Sequence, residues 1–97
     1  MTVYFISRHP GAVEWARRQD IHFDVHTAHL DIQLIRAGDT VIGSLPVNLA
    51  EQVCRRQGKY LHLSLSLPAN RRGEELSAAD MQTFDAKLQA YLITKDD

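Results

Sequence analysis

Three times the chain runs from a short stretch of strand character into a serine and then, within three residues, a proline. The segments are Ser7-Arg8-His9-Pro10 after Val3 to Ile6, Ser44-Leu45-Pro46 after Thr40 to Gly43, and Ser66-Leu67-Pro68 after Tyr60 to Leu65. Val3 to Ile6 is a continuous aromatic and β-branched run, the pattern of a strand buried on both faces of a parallel sheet. Past the first two prolines the spacing turns helical, with Ala12, Val13, Trp15 and Ala16 forming one stripe and Val47, Ala50, Val53 and Cys54 another. Pro10 and Pro46 suit the first helical turn, where a missing N–H costs nothing. Strands joined through helices must cross over and run parallel, so this alternation predicts an α/β layered domain.

The remaining segments fill in that frame. Phe23 to Thr27 is a less apolar strand candidate for a sheet edge, and Leu30 to Arg36 reads as a short helix or a turn with Leu34 and Ile35 packed inward. Gly38 and Asp39 form a turn before Thr40, and Gly58 stands where a helix C-terminal cap is expected. "KYLHLSLSL" alternates apolar and polar residues as a strand does, and Pro68 closes it. After the loop Ala69 to Leu76, Ser77 with Asp80 three residues on has the form of a capping box. Met81, Phe84, Leu88, Tyr91 and Leu92 then recur at steps of three and four, which predicts a long final helix. The fold class expected is a single α/β domain over residues 1–97, with a mainly parallel sheet of four to five strands flanked by helices. At 97 residues and 44% hydrophobic content there is enough chain for one core and too little for two.

Charge and cysteine content narrow the function. A net charge of −1 and a pI near 6.5 leave no global basic field, so long nucleic acid is not an expected partner and an anionic ligand must be held locally. Cys54 has no partner for an internal disulfide and reads as a buried structural thiol in a reducing, cytoplasmic setting. No secretory leader pattern and no apolar run of the roughly 18 residues that span a bilayer is present, so no membrane association is expected. The tail Lys95 to Asp97 is polar and reads as a frayed end. Without a GxGxxG or GxxxxGK[ST] motif, neither a dinucleotide cofactor nor a P-loop is expected, and no cofactor is assigned.

In a parallel sheet the three serine–proline segments fall on one edge, outside the carboxyl ends of the strands, where ligands of such sheets bind. Helix capping and ordinary turn chemistry account for the serines and prolines individually. The same edge also receives Arg8, His9, Asn48 and the loop bearing Arg71 and Arg72, together with two helix N-termini that favour anions. His29, at the end of the second strand, reaches the same edge. From these residues alone a binder of a small phosphate-bearing ligand ranks first and chemistry second. His22, His26 and His29 have helical spacing in a stretch read as strand and turn, where it does not converge; with no cysteine pair or HExxH, no metal site is expected. His62, between Leu61 and Leu63, reads as a sheet-face residue.

Four blocks resemble a known family: "YFISRHPGAVEWA" at 4–16, "HLD" at 29–31, "GDTVIGSLPVNLAEQVC" at 38–54 and "YLHLSLSLPANRRGEELSAADM" at 60–81. The chain is similar, over nearly its whole length, to the sixteenth family of the Csx series, small proteins associated with type III CRISPR systems. That resemblance implies a CARF-like or Rossmann-like fold, a homodimer, and recognition of cyclic oligoadenylate, with cyclic tetra-adenylate the expected partner. It further implies ring nuclease activity, the metal-independent opening of the messenger to linear di-adenylates. The family signature falls on Ser7 to Gly11, Gly43 to Ala50 and the loop Asn70 to Gly73.

Joined to the physical reading, the resemblance gives each residue a role. His9 is the acid–base candidate, because the ordinary imidazole pKa lies near neutrality. Arg8 and Arg71 are the candidates for stabilising charge on the reacting phosphate, with Arg72 beside them in binding. Ser7, Ser44 and Asn48 are assigned to phosphate or ribose, and Gly11, His29, Leu45, Pro46 and Ser66 complete the binding set. A non-catalytic module that sequesters the messenger, or a structural dimer subunit with no nucleotide role, are the alternatives.

Overall fold

The structure, a computed structural model, describes residues 1–96; Asp97, the end of the polar tail, lies outside the described residues. Five strands, β1 (Val3–Ile6), β2 (Val25–Thr27), β3 (Thr40–Gly43), β4 (Lys59–Ser64) and β5 (Lys87–Tyr91), form one sheet in the order β2-β1-β3-β4-β5. The first four are mutually parallel, with Ile6 opposite Gly43 and Gly43 opposite His62, and β5 adds antiparallel to β4. Helices α1 (Pro10–Arg18), α2 (Val47–Arg55) and α3 (Ala78–Thr83) complete the fold, with single 3₁₀ turns at Ile32–Leu34 and Ala69–Arg71. The small α/β domain with a mostly parallel sheet is thus as expected, and β2 occupies the edge. No helix among the described residues is long and apolar enough to cross a membrane.

Alternation along the strands sends side chains to two cores. Phe5, Ile42 and Leu63 pack with Ala12, Val13, Trp15 and Ala16 of α1 and with Ala78 and Met81 of α3. Ile6, Val41 and Tyr60 pack on the opposite face with Ala50 and Val53 of α2 and with Ile35. All four predicted core positions of α1 are buried; in α2 Ala50 and Val53 are, whereas Val47 is 69% exposed and Cys54 is half-buried. Ile35 turns inward as expected, but Leu34, expected beside it, is 56% exposed: it is the last residue of the 3₁₀ turn, and the backbone is extended from Ile35. The second strand begins at Val25 rather than Phe23, whose ring instead packs 5.2 Å from that of Phe5.

All three helices stop in the same way, and that corrects two expectations. Asp20, Gln57 and Asp85 each adopt positive φ, between 57° and 65°. In each case that residue's N–H bonds back to the carbonyl three residues earlier, and the next N–H to the carbonyl five residues before it, as in Gln57 to Cys54 (2.9 Å) and Gly58 to Val53 (3.0 Å). This is the Schellman arrangement, usually built on glycine. The left-handed position after α2 therefore belongs to Gln57, not Gly58. Gly58 is small for another reason: a Cβ there would lie 3.1–3.2 Å from Val53 and Ile35. The long final helix expected over Met81 to Leu92 does not exist. Asp85 closes α3, and Lys87–Tyr91 then pairs with β4, placing Leu88 opposite Leu63.

Asp39, buried at 6% exposure, ties the start of β3 to the N-terminal strand. Its two carboxylate oxygens accept from the N–H of Thr2 and of Arg36, each at 2.9 Å. Those two backbone bonds, Thr2 first, hold its carboxyl below the ordinary value.

Candidate functional site

The strand order reverses between β1 and β3. From β1 the chain passes through α1 on one face to β2, and from β3 it passes through α2 on the other face to β4. Neighbouring strands whose following helices leave in opposite directions open a crevice at their carboxyl ends. A cleft of about 1010 Å³ lies there, at the upper end of the size of small-molecule sites. Ser7, Arg8 and His9 form one wall, Ser44, Leu45 and Pro46 the other; Ser66, His29 and Arg72 complete the rim over a floor that includes Leu49, Leu63 and Met81. The structure thus brings together nine of the residues singled out in the sequence.

Backbone contacts explain why the walls hold their shape. Ser7 Oγ accepts the His9 N–H (3.1 Å), and His26 Nε2–H donates to the Ser7 carbonyl (2.8 Å). Across the crevice, Ser44 Oγ–H donates to the Leu63 carbonyl (2.6 Å), which binds the turn after β3 to β4. The buried phenol of Tyr60 does the same from beneath, accepting the Leu45 N–H (3.0 Å) and lying 3.1 Å from the Gly43 carbonyl. At Gly43 a Cβ would sit 2.7 Å from the Ile6 carbonyl, so only glycine permits β1 and β3 to approach this closely at the mouth.

The electrostatics favour an anion. Neither α1 nor α2 has a side-chain cap or an acidic residue in its first turn, so the Gly11 N–H of α1 and the Val47 and Asn48 N–H groups of α2 have no hydrogen-bond partner among the described residues. Arg8 and Arg72 have no ion-pair partner among the described residues. Glu74, the carboxylate on the cleft, is taken up by Arg71 Nε at 2.6 Å.

Three predicted residues lie outside the cleft. Arg71, expected to act on the phosphate, instead spans Glu74 and Asp80 (3.5 Å) and stacks 5.2 Å from the centre of the Phe84 ring. It anchors its loop to the capping box of α3, where Ser77 Oγ accepts the Asp80 N–H and the Asp80 carboxylate accepts the Ser77 N–H. The latter bond chiefly holds the Asp80 carboxyl below its ordinary value. Gly11 does not line the cleft; a Cβ on it would fall 1.9 Å from the Leu76 carbonyl, so its smallness lets the chain before α3 cross the start of α1. Asn48 is exposed in the first turn of α2 and likewise does not line the cleft.

Two contributors have no signal in the sequence. Tyr60 reads there as an alternating strand residue, and nothing local marks its hydroxyl as a staple of the Gly43–Leu45 turn. Glu75, 66 residues from His9, places its carboxylate oxygens 3.1 and 3.2 Å from His9 Nδ1. Among the described residues no group of three or more His, Cys, Asp or Glu side chains is arranged to hold a metal ion.

Compared with known families, residues 4–94 match the family described as "Putative CRISPR-associated protein (Cas_VVA1548)". The chain belongs to that family. The match takes in all five strands except Val3, the first residue of β1, and the whole rim of the cleft, so the crevice is built from family sequence and not from an appended segment. No curated protein and no solved structure matches this Cas_VVA1548 family member.

Proposed function

We propose that this CRISPR-associated protein binds cyclic tetra-adenylate and opens it to linear di-adenylate without a metal, lowering the messenger of type III defence. The reading joins its likeness to the sixteenth Csx family with one observation above the others. Arg8 and Arg72, which have no ion-pair partner among the described residues, border the switch-point crevice beside His9 and two helix N-termini without side-chain caps. Such a site suits a ligand with several phosphodiesters and no carboxylate-seeking group. A ring of four identical nucleotides has a two-fold axis contained in its four-fold one, so a homodimer would offer it two copies of the same cleft, each facing two phosphates.

The chemistry needs little beyond placement. A ribose 2′-hydroxyl attacks the adjacent phosphorus in line with the departing 5′-oxygen, giving a 2′,3′-cyclic phosphate and a free 5′-hydroxyl. Arg8 stabilises the charge that builds on the non-bridging oxygens, with Arg72 holding a neighbouring phosphate, and His9 serves proton transfer. Ser7, whose Oγ retains acceptor and donor capacity, orients a phosphate or ribose hydroxyl.

The test is incubation of purified protein with radiolabelled cyclic tetra-adenylate in EDTA, products resolved by chromatography. Wild type yields di-adenylate and Arg8→Ala loses about 10²–10³-fold in rate, the usual cost of one oxyanion donor. Tight binding with the ring intact after prolonged incubation with excess protein would replace cleavage by sequestration, and absence of binding would overturn both.

A further inference from the structure

The loop from Pro68 to Ser77 delivers more than Arg72 to the cleft. It also lays the Glu75 carboxylate symmetrically against one nitrogen of His9, at 3.1 and 3.2 Å from Nδ1. From this geometry we infer that Glu75 is a positioning residue for His9: it holds the proton on Nδ1 and leaves Nε2 as the nitrogen that exchanges protons with a ligand in the crevice. The inference rests on the proposed cleavage.

A neutral imidazole carries one N–H, and a carboxylate can only accept, so contact with Glu75 selects the Nδ1–H tautomer and sets the ring orientation. The same logic orders a histidine by a carboxylate in other acid–base sites. The pair contributes little to stability, since both side chains are more than half exposed, at 57% and 61%, and exposed pairs add little. It is also too well supported to be a chance encounter of two surface chains. Ser7 Oγ accepts the His9 backbone N–H on one side. On the other, Arg71 clamps the loop through Glu74, Asp80 and Phe84, and Gly11 lets Leu76 pass against the start of α1. Arg71 therefore contributes by fixing the loop from which Glu75 reaches His9.

In the step so organised, the 2′-O–H bond breaks with its proton passing to His9 Nε2. The 2′-oxygen–phosphorus bond forms, the phosphorus–5′-oxygen bond breaks, and the imidazolium returns a proton to the 5′-oxygen. Each opening is an internal transesterification, so no atom is gained or lost.

Two measurements test the inference on the full chain. The first is ¹⁵N NMR of the His9 ring, recorded in the alkaline range where its ring-nitrogen shifts no longer change with pH. Wild type shows the Nδ1–H tautomer, and Glu75→Ala moves the ring toward Nε2–H. The second is cleavage of cyclic tetra-adenylate. Glu75→Ala lowers kcat roughly tenfold to 100-fold with KM within about twofold, in the range that one acid–base group supplies. Glu75→Gln, which keeps an acceptor for Nδ1–H, recovers part of the loss. His9→Ala with Glu75→Ala is no slower than His9→Ala alone. An active wild type whose kcat is unmoved by Glu75→Ala, or whose His9 tautomer is the same in both proteins, overturns the inference and leaves the proposed function standing. A wild type that does not open the ring overturns both.

Discussion

Replacing Tyr60 by Phe removes a single oxygen beneath the cleft wall and leaves no cavity. Tyr60 is 1% exposed, and its hydroxyl accepts the Leu45 N–H at 3.0 Å, lies 3.1 Å from the Gly43 carbonyl and lies 2.6 Å from His62 Nδ1. The ring itself keeps its packing against Ile6, Val41, Ala50 and Val53, so the transfer contribution of burial is nearly unchanged. What changes is polar: the part-buried Leu45 N–H loses its hydroxyl partner. A stranded donor costs about 1–3 kcal/mol. Taking about 2 kcal/mol, a domain of this size melts about 8–16 °C lower. The loss is local to the turn Gly43–Leu45, so under the proposed function affinity for cyclic tetra-adenylate falls as well, because Ser44 and Leu45 form one wall of the crevice. Burial also pushes the Tyr60 phenol above its ordinary 10.0. A folded value higher than the unfolded one contributes stability that is complete below pH 10.0 and is lost as pH rises beyond it, and Tyr60→Phe lacks that slope. Thermal melts of both proteins at pH 7, with urea titrations to compare the slopes, check the claim. A variant melting within 2 °C of wild type, with the same urea dependence, would refute the assignment of Tyr60 as the staple of this turn.

Two further substitutions probe the frame around the site. Asp39→Asn sets an amide NH₂ against one of the two backbone N–H groups that the carboxylate now serves, and is expected to cost about 1–3 kcal/mol at pH 7 by urea denaturation. Because the folded Asp39 value is depressed, its contribution is present above about pH 3.8 and disappears as pH falls through the lower folded value. Wild type therefore loses stability relative to the variant on acidification, and parallel curves would count against the two-bond account. Gly11→Ala drives a methyl to within 1.9 Å of the Leu76 carbonyl unless the chain before α3 withdraws, with an expected cost of about 1–3 kcal/mol and faster hydrogen exchange over residues 69–77. Unchanged exchange there would show that the loop does not depend on that close approach.

The part of the fold that was legible in the sequence is the part where local and global signals agree. Val3–Ile6 and Thr40–Gly43 are continuous strand-forming runs, and as inner strands they bury side chains on both faces; Pro10 and Pro46 mark the helices that follow, and the parallel order comes from the crossovers. The last strand was hidden because two periods coincide over Met81 to Leu92. Met81, Phe84 and Leu88 stand at helical steps, while Leu88 and Ala90 also alternate with Lys87, Gln89 and Tyr91. The choice between them is made at Asp85, whose positive φ stops α3, and aspartate advertises that conformation far less plainly than glycine. A helix ending on a non-glycine residue is stabilised by where the chain goes next, which here is the open edge of β4.

The site divides along the same line. Ser7, Arg8, His9, Ser44, Leu45, Pro46 and Ser66 follow directly on β1, β3 and β4, so knowing that the strands are parallel is enough to gather them on one edge. His29 and Arg72 come from loops and still reach the rim, but within the loop 70–73 the sequence gives no means of telling Arg71 from Arg72. The distinction arises only when α3 folds, since Asp80 and Phe84 are one and nearly two helical turns into a segment whose cap, Ser77, fixes where they point. Arg71 is thereby spent on the loop, Arg72 is left to the cleft, and Glu75 comes to rest on His9. A turn that looked self-contained at Ser7 to Gly11 is therefore completed from the far end of the chain, and under the proposed function Glu75 is what orients His9, the member of that turn that moves the proton.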